Sequence, residues 1–153
     1  MSIASSETQI TNLLYRYAEY IDAGDLAGAA SLFEHARLRM PGLPGDGTVD
    51  AAGVLKVWNE FILRYADGTP RTKHAITNPI VEVDEEAGSA TCRSYYTVLQ
   101  QTDGFPLQPV ICGRYHDEFQ RVEGVWRYAF RDYSLVDLVG DMSHHGAEPV
   151  PDR

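Results

Sequence analysis

The chain has only two cysteines, Cys92 and Cys112, and neither belongs to a Cys-x-x-Cys motif. Their expected state is a pair of buried, unbridged thiols in a reducing compartment. Positive charge is also scarce: 13 Lys and Arg stand against 22 Asp and Glu, for a net charge of −9. Nucleic acid and anionic membranes both require a basic face, so neither is an expected partner. No stretch approaches the ~20 apolar residues of a membrane span. Met1–Ser5 lacks the basic start and apolar run of a signal peptide, so a cytoplasmic location is expected. There is no P-loop, G-x-G-x-x-G, G-x-S-x-G or H-E-x-x-H motif, and thus no pointer to a nucleotide-dependent or covalent-nucleophile enzyme. The pair His144-His145 with Asp141 is a poorly preorganised metal site, and no metal is expected. No internal repeat and no linker interrupts the chain.

What remains is one domain of ordinary globular composition, 153 residues with 44% hydrophobic and 23% charged. Ser6-x-x-Gln9 is a capping-box pattern, and Ile10, Leu13, Leu14, Tyr17, Ala18 and Ile21 follow helical spacing. A helix is expected over residues 6–23, stopped by Gly24. Asp25 caps a second, shorter helix, with Leu26, Ala29, Ala30 and Phe33 on one face. Residues 36–40 suggest a short strand and residues 41–47 a turn-rich loop. A third helix begins at Asp50, carries the stripe Val54, Val57, Trp58, Phe61, Ile62 and Tyr65, and ends near Asp67-Gly68. The period then changes to two. Strands are expected at 72–84, 89–101, 108–122 and 125–138, with a bulge at Pro79 to reconcile the parity of His74 and Ile76 with that of Val81 and Val83. From Gly140 the sequence reads as a mobile tail. The fold class is α+β: three N-terminal helices against a curved antiparallel sheet, a cone with an internal pocket. The domain spans 1–139 and the tail 140–153.

Asp22 is oddly placed within this layout. It falls in the last turn of the first helix, where the helix end is already partially negative. A helical wheel puts it on the flank of the apolar stripe. His74, on the first long strand, is a candidate partner: a carboxylate bonded to one imidazole nitrogen fixes the tautomer and frees the other nitrogen for proton transfer. A purely structural Asp–His hydrogen bond remains the alternative.

Four stretches together resemble the SnoaL-like branch of the nuclear-transport-factor-2-like superfamily. They are Tyr17-Ala18-Glu19-Tyr20-Ile21-Asp22-Ala23-Gly24-Asp25 with Leu32-Phe33, His74-x-x-x-Asn78, Tyr115-His116-Asp117-Glu118-Phe119, and Gly124-Val125-Trp126-Arg127-Tyr128 with Arg131. The resemblance covers residues 7–139. That fold hosts dehydratases, isomerases, polyketide cyclases, dioxygenase small subunits and binding modules. In dehydratases of the scytalone type, an Asp at the end of the first helix orients a catalytic His on the strand after the third helix, and Asp22 and His74 stand at similar positions. The second His of those enzymes has no counterpart in Thr97-Val98-Leu99-Gln100-Gln101, where Gln100 could only hold a substrate. The steroid isomerases of the fold use a Tyr and an Asp as an oxyanion hole. Tyr17 and Asp117 fall at similar places, but the isomerase base has no counterpart in Leu38-Arg39-Met40-Pro41.

The residues themselves add three expectations. Asp117 shares the apolar parity of Tyr115 and Phe119 and should face inward, with His116 outside. Asp132 shares parity with Trp126, Tyr128 and Phe130, and should be half-buried with a raised pKa unless it pairs with Arg131 or Arg114. Nine tyrosines, five phenylalanines and two tryptophans can line an apolar pocket. The expected function is a cofactor-free lyase or isomerase, dehydratase- or cyclase-like, acting on a hydrophobic oxygenated ring compound. His74 is its acid–base and Asp22 the orienter, while Tyr17, Asn78, Trp58, Gln100, Asp117 and Asp132 contact substrate. The alternative is a non-catalytic ligand-binding or structural subunit. The open sheet face and the resemblance both suggest a homodimer or homotrimer.

Overall fold

Residues 3–146 are described by a computed structural model. Helix α1 (Ser6–Asp22) is capped by Ser5, one residue earlier than the capping-box pattern suggested, because the Ser5 hydroxyl accepts from the Thr8 amide. The helix ends in a Schellman turn: the Gly24 amide donates to Ile21 O and the Asp25 amide to Tyr20 O. Gly24 has φ +78°, and a Cβ there would lie 2.1 Å from Gly68 O. Only glycine fits this corner, which fixes where Asp22 sits. Asp25 and Asp50 cap α2 (Leu26–Ser31) and α3 (Ala51–Phe61) as expected, each accepting from a backbone amide three residues on.

The strands are β1 (Arg37–Arg39), β2 (Thr48–Val49), β3 (Thr72–Asp84), β4 (Ser89–Thr102), β5 (Phe105–Val122), β6 (Val125–Asp132) and β7 (Val136–Val139). They form one sheet in the order β2-β1-β6-β5-β4-β3, with β7 also paired to β5. The long strands are antiparallel; β1 joins β6 in parallel. On β4 burial alternates residue by residue, so Ala90, Cys92, Ser94, Tyr96, Val98 and Gln100 face the helices. The apolar stripe of α1 (Ile10, Leu14, Tyr17, Ala18, Ile21) fills that concave side together with Phe33, Leu38, Val54 and Trp58.

Three expectations need correction. Helix α3 stops at Phe61 rather than near residue 67, because Ile62 turns extended and bridges Gly146 while the Leu63 amide donates to His145 O. The last strand breaks after Asp132, and β7 then returns to pair with β5. The expected bulge lies at Asn78-Pro79, between Thr77 and Ile80, but it leaves Asn78, with φ +41°, exposed instead of turned toward the interior as a substrate contact. Pro79 lacks an amide to pair and forces the ladder to skip. Beyond β7, residues 140–146 pack back on the body with Met142 and His145 buried. The remainder of the expected tail, 147–153, lies outside the described residues. No helix among the described residues is long and apolar enough to cross a membrane.

Candidate active site

Thr72 and His74 share the inward parity of β3, and α1 delivers Asp22 against them. One carboxylate oxygen of Asp22 accepts from the Thr72 hydroxyl at 2.8 Å and contacts His74 Nδ1 at 2.6 Å. The other accepts from the His74 backbone amide at 2.8 Å. Asp22 therefore grips both the ring and the backbone of the same histidine. The side chains are only 9% and 4% exposed. Burial pulls the Asp22 carboxyl upward, but the bonds and charge of His74 and the Thr72 hydroxyl outweigh it and hold the pKa below its ordinary value. An ionised carboxylate can only accept, so Nδ1 carries a proton, and in the neutral ring Nε2 is then the nitrogen that presents a lone pair. Nε2 has no hydrogen-bond partner among the described residues. The electrostatic oddity of a helix-end Asp thus resolves: its donors lie on β3, outside the helix.

Tyr17 is the hub of the neighbouring interior. It is fully buried, its ring lies 6.2 Å from that of His74 and 6.0 Å from that of Trp58, and its hydroxyl bonds Tyr133 Oη at 2.8 Å. Burial above all pushes the Tyr17 and Tyr115 phenols well above their ordinary pKa, so both stay neutral. Asp117 faces inward as its parity implied, but its partner is Arg131, through two bonds of 2.8 and 2.9 Å with both side chains fully buried. Burial pushes Asp117 upward and Arg131 opposes it. A guanidinium keeps its proton, so the two remain an ion pair near neutral pH. The guanidinium carbon stacks 3.8 Å from the Tyr115 ring centre and 4.5 Å from that of Tyr17. A carboxylate committed to Arg131 in this way is not free to act as a neutral oxyanion donor.

Asp132 is displaced by a bulge at Ala129: Phe130 pairs with Glu118 and Tyr128 with Phe119, so Arg131 takes the inward position. Asp132 points outward and bonds the Ser134 hydroxyl and amide at 2.6 and 3.0 Å, with Arg39 at 3.4 Å. Its partial burial is outweighed by these donors and the pKa is lowered, against the expected rise. Asn78 is on the bulge and away from the interior. Trp58 is buried, and its Nε1 has no partner among the described residues. Gln100 is buried opposite Thr72, and its amide donates to Pro70 O and to His144 O, both at 2.9 Å. Cys92 is free and buried. Burial first, and then Asp117, push its thiol up to about 12, which makes it inert.

Sequence reasoning missed Thr72 as the second donor to Asp22, although its parity with His74 was visible, and Tyr133 as the partner of Tyr17. It also missed His145. This imidazole comes from well beyond the last strand and is 6% exposed, and its buried Nδ1 has no partner among the described residues. Burial first, then the nearby charge of His74, push its pKa down to about 4, partly offset by Asp22. His145 is therefore neutral when docked. A histidine lowered by folding takes up a proton more readily when released, so docking is undiminished above about pH 6.5 and weakens as the pH falls towards 4. The loss at pH 4 is on the order of 3 kcal/mol. The protection factor of the Leu63 amide, whose N–H is held by His145 O, should fall over that window once the intrinsic exchange rate at each pH is divided out; a pH-independent opening equilibrium would contradict it.

A groove of about 470 Å³ runs over the opposite, outer side of the sheet past Glu82, Asp84, Thr91 and Glu118. It is acidic and lies apart from the His74 chemistry. No group of three or more metal-ligating side chains occurs among the described residues.

A family model described as the SnoaL-like domain matches residues 2–132. No curated protein matches the chain. Among solved structures, an NTF2-like protein with a cystatin-like fold from Novosphingobium aromaticivorans is 20% identical with a TM-score of 0.68, covering 86% of this chain and 82% of its own. A candidate scytalone dehydratase from the same organism is 21% identical with a TM-score of 0.61, covering 82% and 80%. The beta subunit of a candidate aromatic-ring-hydroxylating dioxygenase, again from that organism, is 17% identical with a TM-score of 0.66, covering 88% and 91%. At these identities the likenesses establish the NTF2-like cone fold.

Proposed function

Because the chain belongs to the SnoaL-like domain family, we propose that it is a small lyase or isomerase that moves a proton on a hydrophobic, oxygenated ring compound with its own side chains. The observation that carries this reading is the Asp22–His74 pair: a buried carboxylate gripping one imidazole nitrogen, with the other nitrogen unpartnered. His74 Nε2 takes a proton from a carbon beside a carbonyl, the C–H electrons pass into the enolate, and Asp22 steadies the imidazolium that forms. The rings of Tyr17, Trp58 and Tyr115 pack on one another beside His74, and an apolar ring substrate would enter by displacing part of this packing. Trp58 Nε1, buried without a partner, is a donor for one of its oxygens. Dehydration and double-bond migration both begin with this step.

The test is solvent-deuterium incorporation into bicyclic ketones such as α-tetralone, followed by proton NMR. Saturable incorporation above the solvent rate is expected. Binding with no incorporation across the panel would favour a second reading, a non-catalytic binding or structural subunit. One observation supports that second reading: Tyr95, Ile80 and Leu138 remain 55%, 46% and 68% exposed, on the outer face that carries no acid–base pair. Such a face suits association of copies into a homodimer or homotrimer under either reading.

A further inference from the structure

The segment 141–146 closes over the same end of the sheet that holds Asp22. The link can be followed bond by bond. Asp22 binds the Thr72 hydroxyl; Thr72 lies opposite Gln100; the Gln100 amide donates to His144 O. The Tyr65 hydroxyl donates to the same carbonyl, the Thr102 hydroxyl and His144 Nδ1 bond at 2.7 Å, and Leu63 N–H donates to His145 O at 3.0 Å. Gly146 bridges Ile62, and a Cβ there would meet the Phe61 ring at 2.4 Å, so any larger residue would displace that ring. The His145 ring packs edge-on to Phe61 at 6.4 Å. These contacts immobilise a six-residue strap and hold one imidazole, 6% exposed and with a buried Nδ1 that has no partner among the described residues, near enough to His74 and Asp22 to feel their charge.

A structural role alone accounts poorly for this ring. A leucine or phenylalanine would fill the same space without burying an unsatisfied nitrogen, a cost of roughly 1–3 kcal/mol. The groups whose charge reaches His145 are His74 and Asp22, from β3 and α1; its own segment carries Asp141 and His144. His144 turns away to Thr102 and Phe105, and Asp141 is spent on Ser143.

We propose that His145 is a further catalytic residue of the Asp22–His74 site: it faces the substrate from the strap and donates a hydrogen bond to the ring oxygen on which charge develops as His74 removes a proton. The inference rests on the acid–base reading above. The electrons of the broken C–H bond settle on that oxygen, the proton resides on His74 Nε2, and His145 keeps its own proton throughout. A neutral imidazole suits this role, because it stabilises an enolate without competing with His74 for the proton. The strap also excludes water from the step.

The experiment compares wild type, His145→Ala and His74→Gln for deuterium incorporation into α-tetralone, with the ring nitrogens of His145 followed by NMR as the ketone is added. His145→Ala should lower kcat roughly 100-fold with KM changed little, and ketone should shift the His145 ring signals in the wild type. If His145→Ala exchanges within about threefold of wild type while His74→Gln is inactive, or if the ketone leaves the His145 signals unmoved, the role of His145 is refuted and the Asp22–His74 reading stands. If wild type exchanges neither α-tetralone nor any related bicyclic ketone, both fall. Because the ring signals are read in the unmutated protein, misfolding of His145→Ala does not blunt the test.

Discussion

Asp117→Asn should destabilise the fold by about 3–5 kcal/mol, read as a lower urea midpoint with little change in slope. Arg131 is fully buried, and its guanidinium donates two bonds to the neutralising Asp117 carboxylate inside a box of Tyr17, Tyr115, Tyr128 and Phe33. The amide keeps the volume but removes the charge. It leaves a cation with no counter-ion where water cannot reach it, and stacking on four rings returns only part of that loss. One guanidinium nitrogen, Nη1, already lacks a partner, so the site has no spare acceptor to recruit. The paired variant Asp117→Leu with Arg131→Met should be more stable than either single change, because the isolated charge disappears along with its partner. If Asp117→Asn costs under 1 kcal/mol, Arg131 is not held as an ion pair.

His74→Gln should lower ketone deuterium exchange by roughly 10²–10⁴-fold, and Asp22→Asn should approach that loss. Asparagine turns an acceptor-only oxygen pair into a mixed donor and acceptor, so Nδ1 no longer has a fixed proton and Nε2 is no longer reliably unprotonated. Asp22→Asn should therefore lower kcat more than it raises KM, and the wild-type signature of a fixed Nδ1–H in the imidazole nitrogen spectrum should be lost. The pH sense follows from the depressed Asp22 pKa. The pair is intact above the ordinary carboxylate value, and its contribution to stability is lost only as the pH falls through the lower folded value. An Asp22→Asn variant that exchanges like wild type would reduce Asp22 to a structural anchor of β3.

Much of this architecture is local in the sequence. Helix caps at Asp25 and Asp50, the glycine stop at Gly24 and the alternation of β4 each depend on residues within a few positions of one another, and all could be read directly. The Asp22–His74 contact spans 52 residues, yet it was legible because two local facts, a helix-end carboxylate and an inward strand parity, converge on it. Failures arose where a single extra residue changed the count. The bulge at Ala129 flipped Asp132 outward and turned Arg131 inward, and the bulge at Asn78 removed that side chain from the interior. Nothing in the periodicity marks Ala129, whereas Pro79 marks its own bulge. His145 was hidden for another reason. Residues 141–146 have no secondary-structure pattern; they are ordered by bonds to Leu63, Tyr65, Gln100 and Thr102, up to 82 positions away. The same bonds end α3 at Phe61, so the misjudged helix end and the missed histidine have one cause.

The proposed role of His74, oriented by Asp22, is to move a proton on a ring substrate. Its most direct test is the rate of deuterium incorporation into α-tetralone and related bicyclic ketones, measured side by side for wild type and for correctly folded His74→Gln. The account requires saturable exchange by wild type on at least one of these ketones and its loss by at least about 100-fold in the variant. Equal exchange by the two proteins, or ketone binding without exchange in either, would contradict it.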